Sequence, residues 1–230
     1  MIRAVIFDLD NTITDFMKMK QQAVEAAVEA MIDAGLDLPR ESVEQKLYDI
    51  YEVEGIEYQK VFDQFLQNEL GRIDHRILAA GIVAYRRARE AVLVPYPHLN
   101  LVLIELAKRG IQLGVISDAP ALQAWLRLCY LKLHQIFDFV ITFEDTGEQK
   151  PSPAPFKRAL DILKVEPGEV LMVGDWPERD MVGATKVGMK TVFARYGDTF
   201  GTVSSGADYE IDDLGQLLKI VEHENAEIET

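Results

Sequence analysis

The chain has 230 residues, 48% of them apolar, which suffices for a packed core with a smaller second domain and is too much for a disordered chain. Its net charge of −14 argues against a nucleic-acid footprint and against an anionic membrane surface, so an anionic substrate needs local basic groups or a metal. Cys129 is the single cysteine; no internal disulfide can form, and a reducing, cytoplasmic setting fits. Its apolar surroundings, Trp125 to Leu133, predict a buried structural thiol. The sequence enters a strand directly with no basic leader, and no apolar run approaches membrane-spanning length.

In chain order, Ala4 to Phe7 is a short unbroken apolar run that predicts a strand buried on both faces, as in a parallel sheet. It stops at Asp8, with Asp10 two residues on. Carboxylates this close repel unless a cation neutralises them or they share a proton; the plainer alternative is a polar turn capping a buried strand. Residues 16–91 then change texture. Met17 to Ala34, Glu41 to Glu54, Tyr58 to Leu70 and a segment capped by Asp74 and running to about Glu90 carry apolar residues at helical spacing. Gly35 and Gly71 stop two of them. No strand candidate interrupts this stretch, so it predicts an all-helical insert whose methionines, Met17, Met19 and Met31, pack in its core.

From residue 92 helices and strands alternate. His98 to Arg109 is a predicted helix, and Ile111 to Ile116 a strand ending at Ser117-Asp118. Pro120 to about Leu133 is a helix, and Phe137 to Phe143 a strand followed by a polar loop holding Glu144, Asp145 and Lys150. A helix opening near Pro153 ends around Lys164; Glu169 to Val173 is a strand broken by Gly174-Asp175. Asp180 to Val187 is a short helix, Lys190 to Ala194 a strand, and Ala207 to Ile211 with Asp213 to Glu222 a last strand and helix, before an acidic, frayed tail from His223. The fold class is α/β: a doubly wound, Rossmann-like parallel sheet formed by residues 1–15 and 92–230, with residues 16–91 as an inserted helical domain.

In such a sheet the strand ends line one edge, where ligands bind. Here they carry Asp8, Asp10, Thr12, Ser117, Asp118, Lys150, Asp175 and Asp180. Several carboxylates suit Mg²⁺, a hard cation that takes oxygen ligands. A hydroxyl and an ammonium suit a phosphoryl group. Each residue has a plainer reading: Lys150 as a solvated loop lysine, Asp180 as a helix-start residue, Ser117 or Asp118 as the cap of the next helix. The four histidines show no metal-ligand spacing.

Asp8-Leu9-Asp10-Asn11-Thr12, Ser117, Lys150 and Gly174-Asp175 followed by Asp180 match, in order, the four motifs of the haloacid dehalogenase-like hydrolases, and the sequence resembles that superfamily over nearly its whole length. The insert is similar to the family's helical cap. Within the superfamily the insert and final segments look most similar to the archaeal-type glyceraldehyde-3-phosphate phosphatases and to the N-acylneuraminate-9-phosphatase branch.

The resemblance implies a Mg²⁺-dependent phosphatase acting on a small phosphorylated metabolite, a sugar or triose phosphate, as a monomer or homodimer. Asp8 would be the nucleophile, forming an aspartyl-phosphate, and Asp10 the acid and base, its backbone carbonyl touching the metal. Asp8, Asp175 and Asp180 would hold the metal, with Asp180 either a ligand or a support. Thr12, Ser117, Asp118 and Lys150 would serve the loop and the phosphoryl oxygens. A phosphomutase or a noncatalytic binding protein of the same fold is the alternative. Dehalogenation is disfavoured, because the dehalogenase branch lacks the carboxylate found here at Asp10. Lys18, Lys20, Lys60, Arg86 and Arg87 are possible substrate contacts in the insert, against a plainer reading as solvated helix charges.

Overall fold

Strand β1 (Ala4–Phe7) is buried at every residue, as its uninterrupted apolar sequence requires. The computed structural model describes residues 1–226; residues 227–230, the end of the acidic tail, lie outside the described residues. The chain divides into two compact units, Met1–Asp15 with the chain from Val94 onward, and Phe16–Leu93.

The second unit holds four helices, α1 (Phe16–Asp33), α2 (Arg40–Glu54), α3 (Val61–Leu70) and α4 (His75–Val92). Local chemistry sets their ends. Gly71 closes α3 in the left-handed conformation, and the Asp74 carboxylate accepts the Arg76 and Ile77 backbone N–H groups to open α4. Val24, Ala27, Val28, Met31, Leu47, Phe62, Phe65 and Leu66 form its core. Helices α1 and α4 meet closely at Gly81, where an added Cβ would fall 2.8 Å from Met31 Cγ and oblige that side chain to shift. Met19 and Met31 are core residues as expected, but Met17, in the first turn of α1, is exposed. Lys20 is buried rather than solvated. Its ammonium donates to the Tyr85 hydroxyl at 3.1 Å and lies 3.9 Å from the centre of the Tyr51 ring. Lys18, Lys60, Arg86 and Arg87 are exposed.

In the first unit the chain continues through α5 (Leu99–Lys108), β2 (Gln112–Ile116), α6 (Ala121–Tyr130), β3 (Phe139–Ile141), α7 (Phe143–Thr146) and α8 (Pro153–Leu163). It then forms β4 (Val170–Gly174), α9 (Val182–Lys186), β5 (Lys190–Ala194), β6 (Tyr209–Ile211) and α10 (Leu217–Ala226). The sheet order is β3-β2-β1-β4-β5-β6, with every pair parallel. The period-2 alternation of β1 divides the core: Val5 and Phe7 pack with α5, α6 and α10 on one face, while Ala4 and Ile6 pack with Phe156, Ala159 and Ala184 of α8 and α9 on the other. Chain order reverses about β1, whose neighbours are β2 and β4, and that reversal opens a crevice at the C-terminal ends of these strands.

Four further expectations are corrected. The strand predicted to Phe143 ends at Ile141, because Thr142 and Asp145 form a reciprocal capping box that starts the one-turn α7. Asp180 does not open a helix. It lies inside a wide π-type turn, Pro177–Met181, that begins three residues earlier at the proline. Cys129 is exposed, since the buried positions of α6 are Ala124, Arg127 and Leu128, and the next residue turns away. The chain from His223 to Ala226 is helical rather than frayed. Among the described residues no helix is long and apolar enough to cross a membrane.

Candidate active site

At the end of β1 the Asp8 N–H still donates to Val173 of β4 at 2.8 Å, so the sheet itself fixes this residue. The chain then turns sharply. Asn11 adopts a left-handed conformation (φ 57°) that asparagine tolerates, and its N–H donates to Thr14 O at 2.7 Å, closing a tight turn directly after Asp10. Beside β1, Ser117 is held by its N–H on Ile141 O at 2.9 Å, and its hydroxyl oxygen accepts the Ala119 N–H at 3.2 Å, which leaves the hydroxyl hydrogen to another acceptor. Across β1, Asp175 follows β4 directly, and Asp180 folds back over the strand end. Gly174 permits that return: a Cβ there would sit 2.4 Å from the Asp180 carboxylate.

These loops bring Asp8, Asp175 and Asp180 together. One carboxylate oxygen from each lies within 4.8 Å of the others, and all three residues are buried. Lys150, equally buried, reaches them from the loop after α7, its Nζ donating to Asp8 Oδ1 at 2.5 Å, Asp180 Oδ1 at 2.7 Å and Ile116 O at 3.3 Å. Burial alone would lower the Lys150 pKa, but Asp180, Asp8 and Asp118 outweigh it and raise it above its ordinary value, so the ammonium stays charged. One ammonium among three carboxylates does not balance them. Burial and then the Asp8 and Asp180 charges push Asp175 upward; burial first, and Asp8 after it, push Asp180 upward against the pull of Lys150. A divalent cation answers this imbalance, and the donor set, all carboxylate oxygen, fits a hard ion.

The remaining expected residues are distributed around this cluster. Thr12 is fully buried, and its hydroxyl donates to Asp175 Oδ1 at 3.1 Å, so it braces a carboxylate rather than facing a ligand. Asp10 is separate from the acidic cluster by its side chain; its Oδ1 lies 3.2 Å from Arg127 Nε. Asp118 is engaged within the protein, accepting the Lys150 backbone N–H and an Arg179 guanidinium N–H. Glu144 and Asp145, weighed as loop charges, cap the starts of α6 and α7.

Sequence reasoning missed four participants. Arg127 was detectable as a charge on an otherwise apolar helical face. Arg179, Tyr196 and Gly197 left no local signal. The Tyr196 hydroxyl donates to Thr12 O at 2.8 Å while its ring packs on Tyr96 at 4.7 Å. Gly197 lies so close to the Asn11 carbonyl that a Cβ would come within 1.8 Å of it.

Residues 5–194 match the haloacid dehalogenase-like hydrolase family. The chain is 36% identical over 226 residues to a glyceraldehyde 3-phosphate phosphatase of Methanocaldococcus jannaschii, covering 97% of this chain and 98% of that one. It is 30% identical over 229 residues to a phosphoglycolate phosphatase of Neisseria meningitidis, covering 96% and 93%. The crystal structure of a HAD phosphatase from Thermococcus onnurineus superposes with a TM-score of 0.68 at 27% identity, over 96% of this chain and 98% of that one. A six-stranded parallel sheet with an inserted helical segment, an acidic cluster at its topological reversal and relatives of this similarity lead to one conclusion: the chain belongs to the haloacid dehalogenase-like hydrolases and is a phosphatase acting on phosphoric monoesters.

Proposed function

We propose that the protein is a Mg²⁺-dependent phosphatase of a small phosphorylated metabolite, with glyceraldehyde 3-phosphate as the leading substrate. The observation that carries the mechanism is the buried cluster of Asp8, Asp175 and Asp180 around the Lys150 ammonium. The substrate rests on the full-length similarity to the Methanocaldococcus enzyme; the Neisseria relative, named for a different small phosphate ester, keeps the class in place if the compound differs.

In this reading Asp8 is the nucleophile. Its carboxylate oxygen attacks phosphorus, the bond from phosphorus to the ester oxygen breaks, and Asp10 gives that oxygen a proton. Water then attacks the aspartyl-phosphate, Asp10 takes the water's proton, and the bond from phosphorus to Asp8 breaks to release phosphate. Ser117 donates its hydroxyl hydrogen to a phosphoryl oxygen. Lys150 supplies a point charge that lets a dianionic phosphoryl group approach three carboxylates. Asp8, Asp175 and Asp180 would hold Mg²⁺, and Thr12 would fix Asp175. Bound Mg²⁺ supplies charge neutralisation for the transferring group. The helical unit of residues 16–93 is, in this reading, the family's cap.

Phosphate release from a panel of phosphorylated metabolites, with and without Mg²⁺, tests the proposal when wild type is compared with Asp8→Asn. Mg²⁺-dependent turnover of glyceraldehyde 3-phosphate that disappears in the variant is expected. Phosphate release that survives in Asp8→Asn would remove Asp8 as nucleophile, and preference for another ester would replace the substrate alone.

A further inference from the structure

Asp118 follows the phosphoryl-binding candidate Ser117, and its sequence position suggests contact with the same ligand. Its two oxygens are directed elsewhere. Oδ1 accepts the Lys150 backbone N–H at 2.9 Å, and Oδ2 accepts Arg179 Nη1 at 3.1 Å. The Arg179 guanidinium carbon lies 3.9 Å from the centre of the Trp176 ring, and the Trp176 backbone N–H donates to Asp180 Oδ2 at 3.1 Å. One carboxylate thereby joins three separate segments: the end of β2, the loop that delivers Lys150, and the turn that delivers Asp180.

We propose that Asp118 and Arg179 form a clamp that positions Lys150 between Asp8 and Asp180. This deepens the proposed function and rests on its reading of Lys150 as the phosphoryl-binding ammonium. Lysine carries its charge on a flexible four-carbon stem, so the placement of Nζ depends on how firmly its backbone is held. The Asp118 bond holds that backbone at the N–H, and Arg179 holds Asp118 to the turn bearing the second carboxylate that Nζ contacts. Both jaws therefore move with the ammonium's own partners. Displacements of about 1 Å in such sites cost about 100-fold in rate. The Arg179 side chain is 34% exposed, so its ion pair with Asp118 adds little to stability.

The experiment measures kcat and KM for p-nitrophenyl phosphate, calorimetric binding of orthophosphate at saturating Mg²⁺, and melting temperature. The variants are Asp118→Ala, Asp118→Asn, Arg179→Gln, the Asp118→Ala/Arg179→Gln pair and Lys150→Ala. Asp118→Ala is expected to lower kcat/KM about 10–100-fold and to weaken orthophosphate binding in parallel, as losses of supporting residues do. Asp118→Asn keeps an acceptor for the Lys150 N–H but turns an amide N–H toward Arg179, so it should fall as far as Arg179→Gln and less far than Asp118→Ala. Arg179→Gln shifts both in the same direction, and the double variant is no worse than Asp118→Ala, because the two residues act through one contact. Wild-type orthophosphate binding in Asp118→Ala, or additive losses in the double variant, overturns the clamp. If Asp118→Ala does not fold, Arg179→Gln decides by the same readouts. Lys150→Ala separates the two proposals: full activity in that variant overturns the role of Lys150 itself, whereas its inactivity beside an unimpaired Asp118→Ala overturns the clamp alone.

Discussion

On α6 a buried arginine, Arg127, meets the carboxylate of Asp10, the residue assigned the proton transfers. A guanidinium on an apolar helical face is costly to bury unless an anion compensates it, and the dependence is mutual. The contact fixes which way the Asp10 carboxylate points by tying it to α6, an element distant in sequence. Arg127→Met should therefore lower kcat by about 10–100-fold with a much smaller change in KM, since the phosphoryl contacts proposed above, Ser117 and Lys150, are elsewhere. It should also destabilise the fold by about 1–3 kcal/mol, the range for a buried polar group left unsatisfied, since the Asp10 carboxylate keeps partial access to solvent. Steady-state kinetics beside urea denaturation reads both. An unchanged kcat in a destabilised variant would make Arg127 a purely structural residue.

Elements were legible from sequence where the pattern is local. β1, β2, β4 and β5 are apolar runs ended by polar residues, and parallel pairing obliges their C-terminal ends to share one edge. Asp8, Ser117, Lys150, Asp175 and Asp180 could thus be gathered without coordinates. What escaped depends on contacts between distant segments: Gly197 against Asn11, Tyr196 against Thr12, and Arg179 against Asp118. The end of α10 escaped for the same reason. An acidic segment reads as frayed, yet Glu224 is pinned to the sheet by the Lys190 ammonium of β5 and by the Tyr209 hydroxyl of β6 at 2.6 Å. Burial pushes the Glu224 carboxyl up, but those two partners together hold it below the ordinary carboxylate value. A carboxyl lowered by folding stabilises fully above its unfolded value, about pH 4.3, and loses that contribution as pH falls through the lower folded value. Glu224→Gln should cost about 1 kcal/mol at pH 7, a figure reduced for the partly exposed lysine. The gap between wild type and variant should close under acid. Thermal unfolding at pH 7 and below pH 4 measures it; a gap independent of pH would mean that packing, not charge, anchors the helix.

For the molecule as a whole, the net charge of −14 and the acidic cluster are two separate electrostatic problems. Dispersed surface repulsion is relieved by any salt, because screening at about 0.1 M ionic strength acts beyond about 10 Å. Three buried carboxylates within 4.8 Å, with one ammonium among them, are shielded from that atmosphere, and in the proposed function a bound cation answers them instead. Binding to the folded chain alone stabilises it by mass action, about 2.7 kcal/mol at 100 times the dissociation constant. With ionic strength held constant by NaCl, millimolar Mg²⁺ should therefore raise the melting temperature in a saturable way, and chelation should reverse it. Asp180→Asn should respond less, because it removes one of the three charges that create the demand while leaving the surface charge almost unaltered. A Mg²⁺ response matched by NaCl at equal ionic strength, or one undiminished in Asp180→Asn, would trace the stabilisation to general screening and leave the buried cluster balanced by Lys150 alone.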